Sequence, residues 1–377
     1  MDELTTPAVT VPFLDLAPSH EDVAAPILAE IAELIESGSF TNGPQVARFE
    51  EAFAEFCGTA HCVGVGSGLD ALRLALIASG LERGDEAIVP ANTFVATVEA
   101  VTQAGGVPVL VDASETDDNI DPRAVEAAVS SRTRFVIPVH LYGQLADMRA
   151  LGAIANQRGL ELISDACQAH GATRDGTGAG VAGRAAAFSF YPGKNLGAMG
   201  DAGALTTDDA ELTSRMRALR EHGQTRKYHH EFEGWTSRLD TIQALVLLQK
   251  LPYLAEWTEQ RRAAAAYYYE ALAGVADLRL PGVPAGSEPV WHLFVIRSPK
   301  AEALADFLRE RGIGTGRHYP VPVHLNAAYS HLGHARGAFP VSETLADEAL
   351  SLPMYPGISE AQLEHVTQAI DAFFRRG

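Results

Sequence analysis

The 377-residue sequence predicts an α/β fold, with a large domain built on a mainly parallel sheet between helices and a smaller C-terminal α+β domain. Two observations carry this reading. From residue 86 to residue 164, short and almost wholly apolar runs alternate with stretches of helical period, and strands that are apolar throughout belong to sheets covered on both faces. Beyond two long helical stretches, a Gly- and Pro-rich segment over 274–289 marks a boundary before a further strand and further helices. The expected division is 1–250 for the large domain and 251–377 for the small one.

Taken in order, Pro12-Phe-Leu-Asp-Leu16 leads into a helix over 21–37, whose Val23, Ile27, Ile31, Leu34 and Ile35 recur at helical spacing. A second helix over 44–56 stops at Gly58. Cys62-Val-Gly-Val-Gly-Ser-Gly-Leu-Asp70 reads as a strand passing through a glycine turn into a helix over 71–79. Such a turn lets backbone N–H groups close on a phosphate at the helix N-terminus; a tight connection capped by Ser67 explains the same residues. The dinucleotide fingerprint is absent, because Leu69 stands where it needs glycine, and so is the P-loop lysine.

Strands over 87–90, 107–112, 135–140 and 160–164 then alternate with helices over 94–104, 121–129 and 145–158. Ligands of parallel sheets gather at the carboxyl ends of the strands. Asn92, Thr93, Phe94, His140, Tyr142, Asp165 and Gln168 all fall there. A further strand over 185–190 enters a turn containing Pro192 and Gly193 and delivers Lys194. A helix over 211–222 is followed by a polar, aromatic loop over 223–235, too irregular for a packed element and of the kind that forms lids or binding loops. Helices over 238–253 and 254–273, a strand over 291–296, a helix over 300–311, a segment over 312–322 and a last helix over 360–375 complete the chain.

Composition narrows the function. A net charge of −19, from 48 acidic and 29 basic side chains, argues against nucleic acid as a partner. Cys57, Cys62 and Cys167 have no metal-ligand spacing and suggest buried thiols in a reducing compartment. No stretch is apolar enough to span a membrane, and Asp2 and Glu3 stand where a signal peptide carries positive charge. A cytoplasmic enzyme with no metal is expected.

The chemistry centres on Lys194. Among small and apolar neighbours a lysine loses water, and desolvation lowers its pKa toward a nucleophilic amine. Read alone, the residue suits a structural or phosphate-contacting loop lysine equally well. Asp165, at the end of a doubly buried strand, needs a positive partner, which a protonated pyridine nitrogen supplies. An aldehyde trap, a pyridinium partner and a phosphate turn are the three contacts that pyridoxal phosphate requires.

Eight ordered motifs sharpen this reading: Gly43-Pro-Gln-Val-Ala-Arg-Phe-Glu50, Gly66-Ser-Gly-Leu-Asp-Ala-Leu72, Pro90-Ala-Asn-Thr-Phe-Val-Ala-Thr97, Pro138-Val-His-Leu-Tyr-Gly-Gln144, Asp165-Ala-Cys-Gln-Ala-His-Gly171, Ser189-Phe-Tyr-Pro-Gly-Lys-Asn-Leu-Gly197, Arg238-Leu-Asp-Thr-Ile-Gln-Ala244 and His318-Tyr-Pro-Val-Pro322. With them the chain resembles, over nearly its whole length, the nucleotide-sugar aminotransferases of the DegT/DnrJ/EryC1/StrS family, pyridoxal-phosphate enzymes of fold type I. The resemblance implies that Lys194 forms the Schiff base with pyridoxal 5'-phosphate and later shuttles a proton. Asp165 would pair with the pyridine nitrogen, Gln168 with the ring hydroxyl, and Phe94 would stack on the ring. Ser67, the backbone of Gly68 and Leu69, and Ser189 would hold the phosphate. It also implies a homodimer with shared sites, in which the neighbouring chain commonly supplies an asparagine to the phosphate from two residues before the arginine of the Arg238 motif. Thr236 stands at that position here.

The same resemblance bears on substrate, which it implies to be a nucleotide-linked keto sugar, with L-glutamate as amino donor. Members acting at carbon 4 often carry histidine before the Pro-x-Lys segment and Gly-Glu-Gly-Gly after it. Tyr191, Gly200-Asp-Ala-Gly203 and Lys227-Tyr-His-His230 instead resemble enzymes acting at carbon 3 of a dTDP-3-keto-6-deoxyhexose. Tyr191, Tyr228, His229, His318 and Tyr319 are the expected sugar and pyrophosphate contacts. Three alternatives stand beside this: amination at carbon 4 of a dTDP-, UDP- or GDP-linked 4-keto-6-deoxyhexose, dehydration at carbon 3, and a cofactor-binding regulatory protein without turnover. Lys194 opposes the second, whose relatives carry histidine there, and Lys194, Asp165 and Gln168 together oppose the third.

Overall fold

Strands of four or five residues with hardly a polar side chain can be hidden on both faces only when helices flank them. The computed structural model, which describes residues 9–375, has that arrangement. Helices α1 (Ala24–Ser37) and α2 (Pro44–Cys57) end at Gly38 and Gly58, both left-handed, at φ 66° and 70°. Then come β1 (His61–Val65), α3 (Gly68–Ala78), β2 (Glu86–Pro90), α4 (Val95–Gln103), β3 (Val107–Val111), α5 (Pro122–Ala128), β4 (Thr133–Val136), α6 (Met148–Arg158) and β5 (Glu161–Asp165). A small hairpin, β6 (Thr173–Arg174) and β7 (Thr177–Gly178), precedes β8 (Ala185–Ser189), β9 (Gly203–Thr207) and α7 (Ala210–Leu219). A second hairpin, β10 (Gln224–Arg226) and β11 (His229–His230), leads to α8 (Thr241–Lys250) and α9 (Leu254–Ala271). The chain finishes with β12 (Ser287–Glu288), β13 (Phe294–Arg297), α10 (Ala301–Arg309), α11 (Pro340–Glu348), β14 (Ala349–Leu352) and α12 (Glu360–Arg375).

The main sheet has the order β1-β9-β8-β5-β4-β2-β3. β9 runs antiparallel to both neighbours, and the other pairings are parallel. The carboxyl ends of β1, β2, β4, β5 and β8 therefore share one rim with the start of β9. Two apolar clusters lie on the faces of the sheet around α3, α4 and α7 and around α2 and α8. In the latter, Phe53 meets Phe188 and Phe190 edge-to-face at 5.1 Å each, which locks β8 against α2; each such pair adds about 0.5–1.5 kcal/mol beyond burial.

A third cluster joins α9, α10, α12, β13 and β14, and Val11 and Ile313 belong to it. Val11 pairs with Ile313 as an isolated bridge, Phe13 stacks on His318 at 5.6 Å, and Leu14 lies against Gly193. The N-terminal segment is thus a strap running from this cluster across the rim of the sheet.

The loop expected over 223–235 contains the β10–β11 hairpin, which turns at Tyr228 with φ 64° rather than at a glycine. β9, α11 and β14 were not expected either. The strand Gly-Ala-Leu-Thr-Thr of β9 is buried along its whole length, but its two threonines and small residues hide the apolar pattern.

Candidate active site

β5 ends at Asp165, whose side chain is 6% exposed. Thr97 Oγ1 donates to its Oδ2 at 2.8 Å and the Cys167 N–H to its Oδ1 at 3.1 Å. No lysine, arginine or histidine among the described residues forms an ion pair with it. Two hydrogen bonds offset only part of the cost of burying a carboxylate, so the site fits a cationic partner.

β8 leads through Ser189 into the turn that carries Lys194. The Tyr191 carbonyl accepts the Lys194 N–H at 2.8 Å, and the Phe190 carbonyl accepts the Ala198 N–H at 2.7 Å. Gly197 closes so tightly on this turn that a Cβ there would lie 2.3 Å from the Pro192 carbonyl oxygen. Lys194 is half-buried. Burial pulls its pKa below the usual lysine range, opposed by Cys167 and the Asp165 carboxylate.

At the end of β1, Ser67 caps α3, accepting the Asp70 N–H at 3.1 Å. The Gly68 and Leu69 N–H groups, in the first turn of the helix, have no intrahelical acceptor and face the rim with the positive end of the helix dipole. A Cβ on Gly68 would lie 2.7 Å from Cys167 Sγ and 2.8 Å from Ser189 Cβ; one on Gly203 would lie 2.3 Å from the Ser67 carbonyl. These glycines let Ser67, Ser189 and Cys167 converge into a cradle with donors pointing inward, which suits an anion.

Gln168 is held at both ends. Its Oε1 accepts the Tyr142 N–H at 2.6 Å and its Nε2 donates to Tyr319 Oη at 3.0 Å. The orientation of the amide follows, since a backbone N–H can face only the oxygen. Tyr142 Oη also donates to the His318 carbonyl, and the Phe94 ring lies 5.5 Å from that of Tyr319. His318 accepts or donates at Ser351 Oγ over 2.8 Å, and burial followed by the Lys194 charge pulls its pKa down to about 4.

The structure therefore gathers Ser67, Gly68, Leu69, Phe94, Asp165, Gln168, Ser189, Lys194, His318 and Tyr319 on one rim. Tyr191 stands at the same turn, 58% exposed. Tyr228 and His229 are exposed on the β10–β11 hairpin, and their hydrogen bonds stay there, to Gln224 and Arg226. Thr236 is exposed and bonds His222 Nε2 at 2.9 Å; neither it nor the hairpin has a hydrogen bond to the cluster within the chain. Thr97 was not singled out from sequence, although it closes the Pro90–Thr97 motif. Tyr142 was noted at a strand end without a role. Among the described residues no group of His, Cys, Asp and Glu is arranged to hold a metal ion, and no helix is long and apolar enough to cross a membrane.

Comparison with known proteins gives this geometry a lineage. The DegT/DnrJ/EryC1/StrS aminotransferase family model matches residues 21–371. The chain belongs to that family. It is 46% identical to the dTDP-3-amino-3,4,6-trideoxy-alpha-D-glucose transaminase of Streptomyces venezuelae over 366 residues, 97% of each chain. The crystal structure of S. venezuelae DesV in complex with a ketimine intermediate superposes with a TM-score of 0.95 at 46% identity, covering 98% of this chain and 99% of that one. NtdA of Bacillus subtilis with bound cofactor PMP superposes with a TM-score of 0.91 at 31% identity, covering 99% and 87%. The fold is that of the DegT/DnrJ/EryC1/StrS aminotransferases, a mixed, mainly parallel sheet with a smaller C-terminal unit.

Proposed function

We propose that this chain, as a cytoplasmic homodimer, transfers the amino group of L-glutamate to carbon 3 of a dTDP-linked 3-keto-6-deoxyhexose, using pyridoxal 5'-phosphate. One observation carries the cofactor assignment: a buried carboxylate with no ion-pair partner among the described residues, Asp165, shares a rim with a half-buried lysine of lowered pKa and an anion cradle at a helix N-terminus. The residues fit the group. Ser67, Ser189 and the Gly68 and Leu69 N–H groups would hold its phosphate, Asp165 its protonated ring nitrogen, Phe94 one ring face, and a Gln168 N–H its ring oxygen. When bound, the cofactor supplies an electron sink for the charge left when a proton leaves the substrate carbon.

The chain's own residues do the rest. Asp165 would pair with a positive partner, and Thr97 and the Cys167 N–H keep the carboxylate aimed. Lys194 accepts and returns a proton at Nζ, a role that desolvation favours by lowering the cost of the neutral amine. Tyr142 fixes Gln168 so that its N–H groups, not its oxygen, face the pocket. His318, neutral at pH 7, offers the sugar a hydrogen-bonding edge without adding charge.

Support for carbon 3 comes from Tyr191 and the Asp201 turn and from the S. venezuelae relative, a dTDP-3-amino-3,4,6-trideoxy-alpha-D-glucose transaminase. Tyr191 and Tyr228, 58% and 80% exposed, are large side chains that a partner subunit would cover, bringing Tyr228, His229 and Thr236 to the neighbouring site. The deciding assay offers the enzyme glutamate and a panel of 3-keto and 4-keto dTDP-sugars and locates the new amine by NMR. Amination at carbon 4 alone would overturn the carbon-3 assignment, and turnover by Lys194→Ala would overturn the mechanism.

A further inference from the structure

Lys250 is the last residue of α8, where a lysine usually reaches into solvent beside the helix dipole. Here it is 3% exposed. Among the described residues no carboxylate pairs with it. Its Nζ donates to the Gly197 carbonyl at 2.6 Å and lies 3.5 Å from His20 Nε2, with the Trp257 ring centroid at 5.8 Å. The imidazole's proton can be placed. His20 Nδ1 is 2.6 Å from the Leu16 carbonyl, which only accepts, so Nδ1 carries the hydrogen and Nε2 offers its lone pair to Lys250. Burial pulls the Lys250 pKa down to about 8, and either protonation form keeps enough N–H groups for both partners.

These bonds meet at the turn that matters. Gly197 is the residue pressed against the Pro192 carbonyl, three positions beyond Lys194, and Leu14 of the strap lies against Gly193 on the same turn. From its other side the turn is held by Asn195, whose Nδ2 donates to the Val290 carbonyl at 2.9 Å and whose Oδ1 faces His292 Nδ1 at 3.2 Å. Lys250 and Lys194 border one small enclosed cavity together with Asp15, Asn195 and Arg261. A buried amine without a counterion costs stability wherever it sits, and in this position its hydrogen bonds fasten three separate segments: α8, the strap and the Lys194 turn.

We propose that Lys250 is a positioning residue for the transamination: held between His20 and the Gly197 carbonyl, it fixes the 192–197 turn so that the Lys194 amine reaches the reacting carbon. The proposal rests on the reading of Lys194 as the Schiff-base lysine. It adds that the reach of this lysine is set from behind, through the backbone, by a second lysine bonded to the Gly197 carbonyl.

The test uses holoenzyme reconstituted with pyridoxal 5'-phosphate and follows the glutamate half-reaction by stopped-flow absorbance, normalised to the bound cofactor. Lys250→Met, which removes the donors at similar length, should keep the visible Schiff-base band but slow the half-reaction at saturating glutamate at least about tenfold, the size expected of a misplaced reacting group, with KM for glutamate changed less than about threefold. Lys250→Arg, which retains donors, should recover most of the rate. A purely structural role would lower Tm and cofactor occupancy and leave the rate per occupied site unchanged. Lys250→Met at the wild-type rate per site therefore overturns the proposal. If that variant does not fold, Lys250→Gln serves in its place: its amide is one bond shorter and falls short of Gly197, so it should be slow, and a wild-type rate again overturns the proposal. Absence of a Schiff-base band in the wild-type protein would instead refute the reading of Lys194.

Discussion

Thr97 Oγ1 lies 2.8 Å from Asp165 Oδ2, and the same hydroxyl lies 2.8 Å from Thr93 Oγ1. The Asp165 oxygen has no proton to give when ionised, so Thr97 must donate to it and accept from Thr93. This two-hydroxyl relay, from Thr93 just before α4 to Thr97 in its first turn, is the chief side-chain support for the buried carboxylate. Thr97→Val should preserve the fold and weaken pyridoxal phosphate binding by about 1–2 kcal/mol, roughly five- to thirtyfold, because the hydrogen bond is to a charged group. Fluorescence titration of the apoenzyme measures it; an unchanged Kd would remove Thr97 from the site.

Gly197 and Gly152 make a contrasting pair. A Cβ at Gly197 would collide with the Pro192 carbonyl at 2.3 Å, whereas nothing lies within 4 Å of one at Gly152, inside α6. Gly197→Ala should destabilise by about 1–3 kcal/mol and slow turnover at least tenfold, and Gly152→Ala should stabilise by up to about 1 kcal/mol without affecting turnover. Urea melts and steady-state rates on both variants test this, and equal effects at the two positions would contradict it.

Acid should destabilise the fold well above the carboxylate range. Burial holds His140 and His170 neutral in the folded chain, with pKa values of about 3, and the Lys194 charge adds to the effect at His170. The unfolded chain takes up these protons below about pH 6.5, so it binds more protons than the native state from pH 6.5 down to about 3, and stability is lost as pH falls through that window. Tm should drop by several degrees between pH 7 and pH 5. His140→Asn, which still offers an acceptor to the Ala146 N–H that His140 Nδ1 now receives at 3.2 Å, should flatten part of the slope. A variant with the wild-type slope would exclude His140 as a contributor.

Thr236 tests the shared-site arrangement. Its hydroxyl is engaged with His222, and an asparagine there would exchange that short contact for a longer amide able to reach across a subunit boundary. Thr236→Asn should keep or tighten cofactor binding without altering the sedimentation expected of the proposed dimer. A tenfold loss of affinity would place the cross-subunit phosphate contact elsewhere.

Much of the scaffold was readable from sequence because parallel strands buried on both faces spell continuous apolar runs, as Ala87-Ile-Val-Pro90 and Leu160-Glu-Leu-Ile-Ser164 do. The strand β9 was not, since threonines and alanines fit a buried antiparallel partner as well as they fit a loop. Nor was the β10–β11 hairpin, whose left-handed residue is Tyr228 where turn chemistry favours glycine or asparagine. At the site, Asp165 and Gln168 were noted at a strand end and Lys194 in a turn, but their roles came from their order along the sheet and from the family motifs rather than from residue type alone. Thr97 and Lys250 were not singled out. A threonine on a helix and a lysine in its last turn match the commonest solvent-facing patterns, and only packing across 68 residues in one case and 53 in the other gives them partners.

The bridge from Val11 to Ile313 has a consequence for how the molecule is made. It joins the strap to a segment about three hundred residues later, so during synthesis the strap leaves the ribosome long before its partner exists. The sheet can assemble while the strap waits, but Val11 and Phe13, whose partners are Ile313 and His318, reach their final places only once the last third of the chain has emerged. Catalytic competence is thus timed to the end of translation, and a nascent chain lacking its C-terminal third should carry a folded sheet beside a lysine not yet set to work.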